Sequence, residues 1–317
     1  MFDFCWYAAA IAHSVWHLAG WYSTINRYEN SMRRLLHTFG TVAIYVLLYV
    51  VVSLLVGAFV DISDQSDFGF MLINLTVVVF VYVGLTIYER LVYGRSVRIM
   101  TSRRGLEPIT VLWGVILLVS TSIVTSPLEG FLPPDNRVFP DGGWTLLATI
   151  GVAPIFEELI FRGRLISMFR QTCSPSGAIL LSAVLFAVAH GNFIVALNAF
   201  IAGVILGYFY FMRGSIFTPM ILHICNNALA YAMMELSYQE MSAYELITSS
   251  KAFVVVYVVA AAITIVGLIH IINTLSRADY RTMRLEQREV AIDRQMEDIE
   301  STGVNVDLNG EEVKDAD

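Results

Sequence analysis

Charge is scarce in this chain. Only 15% of its 317 residues are Asp, Glu, Lys or Arg, against about 25% in soluble domains. Cysteine is scarcer still. Cys5, Cys173 and Cys225 stand far apart with no CxxC pair, which excludes a disulfide framework and a thiolate zinc site. The opening segment, MFDFCWYAAAIAHSVWHLAGWY, lacks the basic start of a cleaved signal. No basic, aromatic-interleaved surface is written into the sequence, so nucleic acid is not an expected partner. The net charge of −7 is no guide to a substrate, because much of the acid lies after Val290 and in short loops.

What is abundant is apolar sequence: 56% hydrophobic residues and a mean hydropathy of +0.65. Several runs reach or approach the ~20 residues that span a bilayer. The expected fold is an all-α polytopic membrane protein with membrane lipids as its surroundings. About eight transmembrane helices are expected, near 40–60, 70–89, 109–126, 144–162, 177–190, 194–212, 215–234 and 252–274. Residues 1–23 form either an interfacial helix or a further crossing, with Trp6, Trp16 and Trp21 as interface anchors.

Alternate connections differ in basic content. All 20 lysines and arginines except Arg137 and Lys251 fall on one side of this arrangement. The positive-inside rule makes that side cytosolic, and with it the 24–39 segment and the C-terminal tail. The domain reading follows: 1–39, an N-terminal helix and basic cytosolic segment; 40–143, an accessory transmembrane region; 144–234, a core; 235–275, an outer loop and the last transmembrane helix; 276–317, a charged tail. Residues 276–300 are expected as a solvated cytosolic helix, and 301–317 as disordered.

Ionisable groups inside membrane helices are costly and mark candidate sites. The first is APIFEELIFRGR, Ala153 to Arg164. Glu158 and Arg162 are four apart, share a helix face and can pair. Glu157 points about 100° away and has no local partner. The plainer alternative is a cytosolic helix end where Arg162 and Arg164 snorkel to water. The second is LFAVAHGNF, with Phe186 and His190 four apart; alone, such a histidine is more often a packing residue. The third is ILHICNNALA, with His223 and Asn227 four apart; alone, they are as readily interhelical glue.

Together, these groups form a chemically complete set. A carboxylate can take a proton from water, and an imidazole can share or return it. An imidazole and a carboxamide N–H can donate to a developing oxyanion. Zinc held by Glu157, His190 and His223 is also open, since three such ligands leave a coordination position free. At ~1.5 Å per residue, straight perpendicular helices put Glu157 roughly 10 Å deep, His223 roughly 15 Å and His190 more than about 20 Å. Strong tilt, or a 177–190 helix that starts outside the bilayer, would bring the three together.

The three segments carry EExxxR, FxxxH and HxxxN motifs in order. In this the chain resembles the CPBP (Abi) family of intramembrane proteases, which includes the type II CAAX prenyl endopeptidases and relatives linked to bacteriocin processing and immunity. The resemblance covers roughly 144–234, including Gly203 and Gly207, which form a small-residue face for close helix packing. It implies an intramembrane endopeptidase acting on a membrane-associated peptide or prenylated protein, with CAAX-type and leader- or bacteriocin-type substrates both open. It makes Glu157 and His190 the water-activating pair, His223 and Asn227 the oxyanion donors, and Glu158 and Arg162 supporting residues. The cofactor stays open between zinc and a metal-free mechanism. Other intramembrane protease signatures, HExxH, GxGD and GxSG, are missing. A different class, a catalytically silent scaffold or bacteriocin-immunity protein of the same fold, is the alternative. A proton-coupled transporter ranks last, because the sequence shows no paired broken half-helices.

Overall fold

The computed structural model describes residues 32–58, 66–94, 99–102, 106–129, 140, 142–191, 193–236 and 251–302. The expectations for residues 1–23 and 303–317, and for much of the loops near 61–69, 127–143 and 235–251, lie outside these. The described residues form eight helices, and each expected apolar segment falls in one of them. They are α1 (Met32–Ala58), α2 (Asp67–Tyr93), α3 (Pro108–Glu129), α4 (Gly143–Phe169), α5 (Pro175–Ala189), α6 (Phe193–Arg213), α7 (Phe217–Leu236) and α8 (Lys251–Thr302). The only β pairing among the described residues is one isolated bridge, Thr101 with Ser215.

Six of these helices, α1, α2, α3, α4, α6 and α8, are long and apolar enough to cross a membrane. The protein is an all-α, multi-pass integral membrane protein. Its many exposed leucines, valines and phenylalanines fit a hydrocarbon surround, where backbone polar groups must be satisfied inside helices.

The interior is centred on α4, α5 and α6. Leu165, Met168, Phe169, Ile179, Ile205 and Leu206 are all fully buried there. Two glycines of α6 make the close approach possible. A Cβ on Gly203 would stand 3.0 Å from Ala183 Cβ, and one on Gly207 2.9 Å from Ile179 Cγ2. The face anticipated from small-residue spacing is the face packed on α5.

α5 is short. Its 15 residues rise about 22 Å, less than the ~30 Å hydrocarbon core. It opens on Ser174, whose side chain caps Gly177 N, a usual way to satisfy a free helix-start amide. The Ser176 backbone amide and hydroxyl both donate to Asp279 of α8. Asp279 lies past the apolar stretch 252–274, so the start of α5 is level with the charged half of α8. This short helix and its start fit the arrangement expected from the depth estimate, in which α5 begins outside the bilayer. α8 also departs from expectation. The last span and the helix expected at 276–300 are one continuous 52-residue helix.

α4 alternates between α and π geometry, with π turns at Leu147–Val152 and Leu159–Ile166. The α segment between them, Ala153–Glu158, ends on the two glutamates. Such π turns recur at functional sites.

Candidate functional site

The site is built on Glu158. This residue is fully buried on α4, and Arg162, one turn on, donates from Nη1 to its Oε1 at 2.8 Å. From α7, the Nδ1 of His223 lies 2.8 Å from the same oxygen. A carboxylate accepts, so His223 carries its proton on Nδ1. The guanidinium is 1% exposed. It also donates from Nη2 to the Gly203 carbonyl of α6, 3.2 Å away, and lies over the Phe186 ring at 4.7 Å. One oxygen therefore joins α4 and α7, and Arg162 extends the tie to α6.

Glu157 faces elsewhere, as its 100° offset requires. Its Oε2 lies 3.7 Å from the Nε2 of His223, and its side chain is 24% exposed, against 0% for Glu158. His223 thus stands between the two acids, one ring nitrogen toward each. Glu157 retains an open side where water can reach it.

His190 ends α5. Its Nδ1 is 2.7 Å from the Phe186 carbonyl. A carbonyl only accepts, so this nitrogen holds the proton and Nε2 keeps its lone pair. Phe186 stands between the two imidazoles, edge-on to both, with centroids 4.7 Å from His190 and 5.6 Å from His223. Asn227, on α7 one turn past His223, donates from Nδ2 to Thr149 O at 3.0 Å, in the first π turn of α4. Its second amide hydrogen remains for a further acceptor.

The geometry corrects two expectations. The zinc set Glu157, His190 and His223 does not converge. Among the described residues, no three His, Cys, Asp or Glu side chains are grouped to hold a metal ion. The Phe186 ring packs against both imidazoles, with centroids 4.7 Å from His190 and 5.6 Å from His223, where converging ligands would need open space. Nor do the arginines snorkel. Arg162 is buried on Glu158. Arg164 is buried too and pairs at 2.7 Å with Glu89 of α2, while its Nη2 donates to the Tyr82 hydroxyl at 3.0 Å.

Glu89, fully buried, escaped the sequence reading because it closes an apolar run, where an acid looks like a boundary. Its spacing to Arg164 across two helices gave no periodic signal. Tyr45 and Tyr49 of α1 were also missed, as aromatic residues in a span rich in them. Tyr49 donates from its hydroxyl to Ala189 O at 3.1 Å. Tyr45 is edge-on to Phe161 at 5.5 Å.

Fold and site together define a polytopic membrane protein with a buried, hydrogen-bonded Glu/His/Arg centre. Residues 140–229 match the family described as type II CAAX prenyl endopeptidase Rce1-like. That segment contains Glu157, Glu158, Arg162, His190, His223 and Asn227, and the resemblance drawn from the three motifs holds over it. No curated protein and no solved structure matches the chain.

Proposed function

We propose that this protein is an intramembrane endopeptidase that hydrolyses a peptide bond of a membrane-associated substrate. The observation that carries this reading is the chain of contacts Glu157–His223–Glu158–Arg162. Glu157, the partly open acid, takes a proton from water as hydroxide oxygen bonds to the scissile carbonyl carbon. His190 orients that water through Nε2, the nitrogen opposite its bond to the Phe186 carbonyl. The proton on Glu157 lies within reach of His223 Nε2 at 3.7 Å. Glu158 holds the opposite nitrogen and stabilises the imidazolium that forms, as the acid of a Ser-His-Asp triad does for its histidine. The imidazolium and the spare Asn227 amide hydrogen then donate to the oxyanion. When the C–N bond breaks, the proton passes to the leaving amine. Arg162 balances Glu158, so that the acid supporting His223 keeps its charge within a nearly dry interior.

The Rce1-like segment favours a CAAX-type substrate, prenylated and membrane-bound, over a leader peptide. The orientation read from the basic connections, with the ends of α4 and α8 toward the cytosol, supports this reading, since such proteins are made there. The test is cleavage of a farnesylated, CAAX-ended peptide by the full chain in liposomes, alongside a comparison of membrane-bound peptides in cells. Glu157→Ala and His190→Ala should each abolish cleavage at unchanged expression. Cleavage that survives Glu157→Ala would sink the proposal.

A further inference from the structure

We propose that Tyr49 of α1, outside the Rce1-like segment, is a positioning residue for His190. The proposal rests on the endopeptidase reading of His190, but its geometry is independent of the substrate.

The last turn of α5 is tight. His190 N bonds Ala187 O at 3.1 Å, Gly191 N bonds Val188 O at 3.2 Å, and Gly191 turns the chain away at φ 69°. The final carbonyls of a helix have no partner within it, and in hydrocarbon an unmet carbonyl is expensive. The Tyr49 hydroxyl meets the one on Ala189, the residue immediately before His190. The imidazole bonds back into the same turn, at Phe186 O. The Nδ1 proton, and therefore the direction of the Nε2 lone pair, depends on the shape of this one turn. Tyr49 holds that shape from outside.

α1 is suited to hold it. Tyr45, one turn earlier, stacks on Tyr49 with centroids 6.2 Å apart. It is edge-on to Phe161, which is edge-on to Phe186 at 4.9 Å, the ring between the two histidines. A row of aromatic rings therefore runs from α1 to both imidazoles. Elsewhere α1 is the least buried of the six spans, so this contact is not a by-product of a deeply packed helix. A separate side-chain tie of α1 to a distant element is Thr38, hydrogen-bonded to the Thr172 hydroxyl beyond the end of α4.

The test is Tyr49→Phe, which keeps the ring and removes the hydroxyl. The readout is the 15N spectrum of histidine-labelled full-length protein, with His190 assigned by His190→Gln. The wild type should show protonated Nδ1 and unprotonated Nε2 at His190. Tyr49→Phe should show exchange between the two tautomers, with a melting temperature close to wild type. On the farnesylated peptide, kcat should fall about tenfold at an unchanged KM, since small misplacements of a catalytic group reach about a hundredfold. Thr38→Val, which loosens α1 away from His190, should leave the His190 signals alone. Unchanged His190 signals in Tyr49→Phe overturn the proposal, as does an equal change in Thr38→Val. The spectrum is read without turnover. Failure of the endopeptidase reading, seen as activity in Glu157→Ala, is therefore distinguishable from failure of this one.

Discussion

Glu157 and Glu158 are adjacent in sequence and opposite in circumstance. Glu158 is sealed in and shared between Arg162 and His223. Glu157 is partly open and meets the far side of His223. Their substitutions should therefore fail differently. Glu158→Gln leaves the buried Arg162 guanidinium without its counter-charge, a loss of about 3–5 kcal/mol for a broken buried pair. Thermal unfolding in detergent should show a marked drop in melting temperature. The double variant Glu158→Gln with Arg162→Met should recover most of it, because no lone charge remains. Glu157→Gln should leave the melting temperature nearly unchanged and remove cleavage. At this scale the sequence was informative about the acids: spacing alone separates a paired Glu158 from an unpaired Glu157. It was silent on which histidine Glu157 meets. His223 and His190 both lie on later spans, and only the tilt and length of α5 and α7 decide which ring comes nearest.

At the scale of elements, the contact between α5 and α6 governs the site. Arg162 takes its second support from the backbone carbonyl of Gly203, the same residue that lets α6 approach Ala183. Gly203→Ala places a methyl 3.1 Å from the Ala183 Cα, so backbone must shift rather than a flexible side chain. The expected cost is about 1–3 kcal/mol, as for overpacking elsewhere, accompanied by loss of cleavage as the carbonyl moves off Arg162. Gly143→Ala, where a Cβ meets nothing within 4 Å, is the matched control and should be silent in both melting and activity. The small-residue spacing in α6 was legible beforehand because close packing demands small side chains at intervals of one turn. The half-length of α5 was not. Its apolar run merges with flanking residues, and the feature that fixes its start, Asp279 on Ser176, joins positions 103 residues apart.

At the scale of the whole molecule, the apolar segments were legible almost one for one, since hydrocarbon imposes length and composition directly. The continuity of α8 was not, because its charged half reads as a separate soluble helix. The charge asymmetry of the connections makes a prediction that the helices alone do not. In a cysteine-free background, Leu106→Cys should react with a membrane-impermeant maleimide only from the cytosolic side, and Gly143→Cys only from the opposite side. Both positions are exposed. Labelling of both from the same side would refute the assigned orientation.

The shared oxygen of Glu158 has a mechanical consequence. Arg162 and His223 are fastened to one atom, and Gly203 is fastened to Arg162, so α4, α6 and α7 meet in a rigid joint. α2 is bolted to the same helix by Glu89 and Arg164. None of these can swing aside without parting buried charges. Among the contacts that α1 makes with the core are neutral hydroxyls at Thr38 and Tyr49. The helices around Glu157 are thus clamped to one another by buried charge, and the geometry of the site lasts only as long as that joint does.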